Sequence, residues 1–300
     1  MQNDTANPTF GAGNLRGAFY MVLMTLSFVS GDALVRIATE NLPLFQVIFL
    51  RGCLSCTFLA VALHLFRQWP RKLNWSTRFR IGVRSGAEIG AMIPFFIALI
   101  HMPFANVSAL LQTLPLTLTL AGAVFLKEPV GWRRLSAIGI GLFGVLLIVQ
   151  PGGDGFSIYA LLVLLAVAFV TLRDLSTRGI SREVSALFLA FIMAVFVTSA
   201  AGIVSLWEDW QPLDARLVLV ILAASITIIG GYTFAALAMR HGEIGFVTPF
   251  RYMALVWAVL LGFLVFGEWP DTLTWIGSGI VVSTGLYTLY RERVLRGRHG

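Results

Sequence analysis

The sequence predicts an all-α membrane protein: ten transmembrane helices in two inverted five-helix repeats. Three observations carry that expectation. The composition is too apolar for water, the apolar runs are evenly spaced with basic residues on alternate loops, and the two halves of the chain match one another.

Of 300 residues, 57% are hydrophobic and 12% charged, against about 25% charged in an ordinary soluble domain. A soluble surface cannot hide that much apolar side chain, whereas a bilayer requires it. Crossing about 30 Å of hydrocarbon takes roughly 20 apolar residues per helix, so ten spans use about two-thirds of the chain and leave little for a soluble domain. The net charge of +7 and pI near 10 do not indicate nucleic acid, because the basic residues flank apolar segments instead of clustering on one soluble face.

The apolar segments fall at 17–37, 44–66, 81–100, 104–126, 132–149, 156–174, 184–206, 216–239, 243–266 and 272–290. Met1 to Asn14 is polar and lacks a basic leader with a cleavage site, so the first run reads as a retained helix. The second run holds Arg51 and the CxxC of Cys53 and Cys56, which inside an apolar span reads as small packing residues and not a redox motif. The fourth and ninth follow their predecessors through tight turns at His101 and His241. Helix-terminal capping is the plain reading of these two histidines, and proton coupling is the sharper one. The fifth contains GIGLFG, Gly139 to Gly144, which is no nucleotide loop because no strand precedes it. Its glycines, with Gly277 and Gly279 of the tenth run, suit close helix packing.

With alternating topology, 17 of the 22 basic residues fall on one side, among them Arg67, Arg78, Lys127, Arg133, Arg178 and Arg240, while the other side receives Arg36 and Arg216. That asymmetry places both termini in the cytoplasm, of a bacterial inner membrane.

A shift of 140 positions pairs Ser85 with Ser225, Gly90 with Gly230, His101 with His241, Gly122 with Gly262, Glu128 with Glu268 and Gly139 with Gly279, among thirteen matches in 66 positions. Near the start of each half a shift of 142 pairs Asp32 with Asp174 and Arg36 with Arg178. Each Asp/Arg pair has the i, i+4 spacing of an ordinary helix-end ion pair. The repeats are taken as 1–150 and 151–300. Five spans per half invert the second copy, and inverted halves that exchange conformations are a transporter device.

The segments LAGAVFLKEPVGWRRLSAIGIGLFGVLLIV and LLGFLVFGEWPDTLTWIGSGIVVSTG each run from a helix end marked by Glu and Pro into a Gly-rich helix. In these the chain resembles the drug/metabolite transporter superfamily, specifically its EamA-type members, and among them the YddG-type amino-acid exporters. The resemblance covers almost the whole chain. It implies two five-helix repeats, export of amino acids or similar small polar metabolites, and no cofactor. Efflux of cationic or aromatic drugs is the alternative. An enzyme would need a convergent nucleophile and base or a metal set, and the sequence offers neither.

Ser108, Gln112, Pro115 and Thr119 form one polar stripe on the fourth span. The ninth carries Thr248, Arg251 and Tyr252, of which Thr248 and Tyr252 are repeat mates of Ser108 and Gln112. Ser85, Glu88 and Met92 share a face of the third span, with Ser225 and Tyr232 on the equivalent face of the eighth. Polar groups facing lipid are costly, so these residues are expected either to line a substrate cavity or to join helices. Glu88, Arg251 and Arg51, each costing about 2.5–3.5 kcal/mol near a helix centre, need a partner, water or a ligand. An amino acid would offer a carboxylate to Arg251 and an ammonium to Glu88. With the bilayer and a small-molecule substrate as the expected partners, one outcome is accessible at once. Cysteines at position 74 and at the C-terminus should label from the same face of the membrane, and labelling from opposite faces would refute the topology.

Overall fold

The computed structural model describes residues 12–70, 73–127, 131–151, 157–177, 184–242 and 244–296. Of residues 12, 134, 244, 245 and 292–296 it describes the backbone. Among these residues there is helix and no strand. Ten rods follow in order: α1 (Ala12–Ala38), α2 (Leu44–Leu65), α3 (Trp75–His101), α4 (Phe104–Leu111 and Leu114–Phe125), α5 (Trp132–Val149), α6 (Ile158–Thr177), α7 (Ala186–Ser205), α8 (Ala215–His241), α9 (Ile244–Val247, a 3-10 turn Thr248–Tyr252, and Met253–Phe266) and α10 (Thr272–Arg296). Eight are long and apolar enough to cross a membrane by themselves, and α5 adds a shorter apolar stretch, Leu135–Val149. Large apolar side chains such as Phe143, Leu146, Leu264 and Phe263 lie exposed on the outside, as a lipid-facing surface requires.

The repeat is visible in how the helices start and stop. The 140-residue shift carries α3 onto α8 residue for residue, and each is 27 residues long. Their N-caps are repeat mates: Asn74 accepts from the Thr77 N–H at 2.8 Å and Asp214 from the Leu217 N–H at 2.7 Å. Helix α3 therefore begins well before its apolar run, at Trp75 instead of residue 81, whereas α8 begins at Ala215, beside the run at 216. The same shift pairs the starts of α4 and α9 and of α5 and α10. It also pairs two left-handed residues that turn the chain after α4 and α9, Lys127 at φ 55° and Gly267 at φ 66°.

Packing repeats the symmetry. Helix α1 lies along α8 and α6 along α3, while α2 meets α7, α4 meets α9 and α5 meets α10. Exchanging the halves turns the first two contacts into each other and leaves the other three in place, as a pseudo-two-fold axis demands. With five spans per half the copies are inverted, so that axis lies in the membrane plane.

Two rods are broken. Pro115 cannot donate to the Leu111 carbonyl, and α4 is interrupted at Gln112 and Thr113, where the Thr113 hydroxyl donates to Leu110 O at 2.7 Å. Pro249 opens the 3-10 turn in α9. The breaks fall at equivalent depth although the prolines are not repeat mates.

Glycine packing differs from the sequence expectation. A Cβ on Gly144 would sit 2.9 Å from the Gly277 carbonyl oxygen, and one on Gly277 2.5 Å from the Gly144 oxygen, whereas Gly139 and Gly279 have nothing within 4 Å. The α5·α10 contact therefore runs through Gly144 and Gly277, and Gly139 and Gly279 face outward. Cys53 and Cys56 are free and half-buried in α2, with Cys56 Sγ 3.5 Å from the Thr198 hydroxyl of α7. Gly144→Leu or Gly277→Leu should lower the melting temperature of the purified protein, since overpacking costs about 1–3 kcal/mol. Leucine at 139 or 279 should leave it near wild type.

Candidate functional site

A cavity of about 190 Å³ opens where the two broken helices approach α1 and α3. Its wall holds Thr25, Phe28 and Asp32 of α1, Phe95 and Leu99 of α3, Phe104, Ser108 and Gln112 of α4, and Arg251 of α9. Gln112 stands at the break in α4 and Arg251 within the 3-10 turn of α9, so each interruption delivers one polar side chain to the same space. Gln112 is buried, at 8% exposure, and the Ser108 hydroxyl reaches Ala254 O at 3.4 Å. Arg251 is open to the cavity, and among the described residues no hydrogen bond or ion pair holds its guanidinium. Asp32 is equally free of direct partners, although the charge of Arg51 on α2 reaches it. Arg51 is buried, with its guanidinium 5.4 Å from the centroid of the Phe96 ring. A larger groove of about 420 Å³ between α5 and α10 lies on the outer face beside Trp132, Arg133 and Tyr287. No broken helix reaches that groove, so the inner cavity is the candidate site.

Of the residues singled out by the sequence, Ser108, Gln112 and Arg251 come together on this wall. The other six lie elsewhere. Glu88 turns toward α6 and pairs with Arg173 at 2.9 Å, and Arg173 also binds Asp174 at 2.9 Å. Arg173 lies near the end of an apolar run, and sequence pattern alone gave no reason to bring it to Glu88. Arg84, one turn before Glu88, donates to the Thr177 hydroxyl and approaches the Met193 sulfur at 2.8 Å. Ser85 is fully buried, its hydroxyl unpaired among the described residues. Tyr232 stands one layer behind the wall, edge-on to Phe28 with centroids 5.4 Å apart. Tyr252 points toward α10, its hydroxyl seated over Gly285 where a Cβ would collide with it. Thr119 bonds its own helix at Pro115 O, 2.8 Å away, and Thr248 is half-buried at the start of the 3-10 turn.

The sequence reading missed Asp32. Its i, i+4 spacing to Arg36 suggested an ion pair between them, but Arg36 bonds Glu268 instead and leaves Asp32 on the cavity wall. The two histidines behave alike: His101 Nδ1 lies 2.7 Å from Ile97 O and His241 Nδ1 3.0 Å from Leu237 O, and each ring packs on a tyrosine, Tyr159 and Tyr20. Both therefore occupy the last turn of their helices as caps.

The profile of the EamA-like transporter family matches this chain twice, over residues 15–150 and 157–290. The chain belongs to that family. It is a multi-pass membrane transporter and not an enzyme. The pseudopaline exporter CntI of Pseudomonas aeruginosa is 28% identical over 284 residues, covering 92% of this chain and 96% of that one. A riboflavin transporter of Rhizobium johnstonii is 30% identical over 192 residues, 64% of this chain and 63% of its own. An S-adenosylmethionine uptake transporter of Rickettsia conorii is 24% identical over 282 residues, 93% and 94% of the two chains. A solved crystal structure, 19% identical, has the same fold with a TM-score of 0.63 over 91% of this chain and 96% of that one.

For a transporter, what closes the ends of the cavity matters as much as its wall. At the end away from the termini, Glu268 accepts two hydrogen bonds from Arg36, at 2.6 and 3.1 Å, and a third from the backbone N–H of Phe104 at 2.7 Å. The Arg36 guanidinium also lies over the Phe266 ring at 4.4 Å. One carboxylate thus joins the end of α1, the start of α4 and the end of α9, the three helices that carry Asp32, Gln112 and Arg251. Glu128 and Arg178, their repeat mates, lie outside the described residues. Glu268→Gln removes the carboxylate charge and replaces one of the two acceptor oxygens with an NH2 group, which weakens bonds worth about 1.5–3 kcal/mol each when charge-assisted. A cysteine at Ser108 should then react at least several-fold faster with a membrane-impermeant thiol reagent added from that side. An unchanged rate would show that the ion pair does not close the cavity.

Proposed function

We propose that this transporter exports amino acids or similar small polar metabolites across a bacterial inner membrane by alternating access, with both termini in the cytoplasm. The observation that carries the reading is Arg251, a guanidinium in the 3-10 turn of α9, open to the cavity and without a hydrogen-bonded or ion-paired protein partner among the described residues. Such a charge is costly in hydrocarbon. A substrate carboxylate would offset that cost with two parallel charge-assisted hydrogen bonds, and Gln112 stands in the same wall with an amide NH2 to hold a remaining lone pair.

Size supports a small substrate. A space of about 190 Å³ is below the pockets of about 300–1,000 Å³ in which drug-sized ligands sit. The pseudopaline exporter, similar over nearly its whole length, supports export as the direction. The basic asymmetry of the loops supports the orientation. Efflux of aromatic or cationic drugs, the second reading, draws on Phe28, Phe95 and Asp32 in the same wall.

In proteoliposomes Arg251→Ala should cut amino-acid flux tenfold or more while sparing a cation that lacks a carboxylate. Arg251→Lys should keep part of the activity, since the charge survives without the planar fork. Equal loss for both substrates in a well-folded variant would assign Arg251 to gating, and wild-type flux would end the proposal.

A further inference from the structure

Helices α5 and α10 approach backbone to backbone at Gly144 and Gly277. From that contact toward Trp132 and the C-terminal end of α10 they leave between them the outer groove of about 420 Å³, which the transport reading does not use. Ala137 and Ile140 of α5 give the groove an apolar wall, whereas Trp132, Arg133, Ser283 and Tyr287 bring rings, hydroxyls and a cation to it. The Arg133 guanidinium lies 5.5 Å from the centroid of the Trp132 ring, and no hydrogen bond or ion pair among the described residues holds it. The hydroxyls of Ser283 and Tyr287 are likewise without a partner among those residues, and both side chains are exposed. One turn beyond Tyr287 on α10, Arg291 keeps its Nε buried and unpaired.

Helix length points to the same occupant. The apolar part of α5, Leu135–Val149, rises about 22 Å at roughly 1.5 Å per residue, short of the roughly 30 Å of hydrocarbon. A bilayer accommodates such a span by thinning around it, which brings phospholipid headgroups down to the level of Trp132 and Arg133. Tryptophan and tyrosine favour that level, and basic pockets between spanning helices recognise anionic headgroups. We propose that this groove binds one anionic phospholipid from the leaflet on the side of the termini. Arg133 holds the phosphate diester through two parallel N–H bonds, Ser283 and Tyr287 meet the oxygens of the head, and an acyl chain runs along Ala137 and Ile140. A soluble anion would leave that apolar wall uncovered. A second copy of this chain, docked there by two-fold symmetry, would set one basic edge against another.

The test uses the purified full chain, delipidated in a neutral detergent, with native mass spectrometry to count what stays bound. The probes are dioleoyl-phosphatidylglycerol, dioleoyl-phosphatidylcholine and glycerol phosphate, a head without tails. Wild type should retain one phosphatidylglycerol at a concentration about tenfold below that needed for phosphatidylcholine, and no glycerol phosphate. Arg133→Gln should bring the two lipids level, about a tenfold loss for phosphatidylglycerol, the scale of one charge-assisted hydrogen bond. Arg133→Lys should keep part of the preference, since the charge survives without the fork. Arg78→Gln, which removes an exposed cation at the start of α3 on the same side of the membrane, should leave the preference near wild type. A phosphatidylglycerol with a photoreactive diazirine should label the segments 132–140 and 283–287. If Arg133→Gln, melting like wild type, keeps the preference, or if Arg78→Gln loses it equally, the groove is not the site. Equal retention of both lipids by wild type, or labelling confined to other helices, overturns the proposal. So does glycerol phosphate bound as tightly as the lipid, which makes the site one for soluble anions. A dimer that forms only when phosphatidylglycerol is removed assigns the groove to a second copy and overturns it as well.

Discussion

Hydrocarbon offers the backbone no hydrogen-bond partners, so a membrane helix can be interrupted only where protein or water receives the groups set free. Helices α4 and α9 are both interrupted near mid-span, and both interruptions turn inward. The rest of the site follows from that constraint. Thr113 ties its hydroxyl back to Leu110 O at the first break, and Gln112 beside it faces the cavity. The 3-10 turn in α9 swings Arg251 into the same space. Had either helix continued unbroken, its polar side chains would have stayed on a stripe facing a neighbour.

Charge is distributed in the same spirit. Inside the bundle, among the described residues, stand four guanidiniums, of Arg51, Arg84, Arg173 and Arg251, and three carboxylates, of Asp32, Glu88 and Asp174. Arg173 takes both Glu88 and Asp174 directly, and Arg84 lies within reach of the same two charges. Arg51 faces Asp32 at longer range. Arg251 is left with only distant compensation, chiefly from Asp174.

Much of this fold was legible in the sequence because helix ends are local. Asn74 and Asp214, or Lys127 and Gly267, perform the same task at the same offset, and a 140-residue shift finds them without knowledge of the packing. The site was legible only in part. Periodicity tells which residues share a helix face but not toward which neighbour that face is rotated. Ser108 and Gln112 were on the face that turned to the cavity, whereas Glu88 was on one that turned to α6. Asp32 was misread because the residue four positions along could have been its partner, and only the arrival of Glu268 from the far end of the chain shows that Arg36 is engaged elsewhere. Gly139 and Gly279 failed for the same reason of rotation. They are repeat mates, but the close approach of α5 and α10 lies on the neighbouring strip through Gly144 and Gly277.

A ligand shifts a conformational equilibrium only through interactions that differ between the two states. The cavity wall and the Glu268 carboxylate meet at Phe104. Phe104 lines the cavity, rests its ring against Phe266 and gives its backbone N–H to Glu268, so a movement of the start of α4 would act on the bond that joins α1, α4 and α9. Arg36 completes the arrangement, because it lies one turn beyond Asp32 on α1. The cavity wall and the Glu268 ion pair thus share residues, so a ligand that favours one arrangement of Phe104 and Arg36 would shift the balance between states.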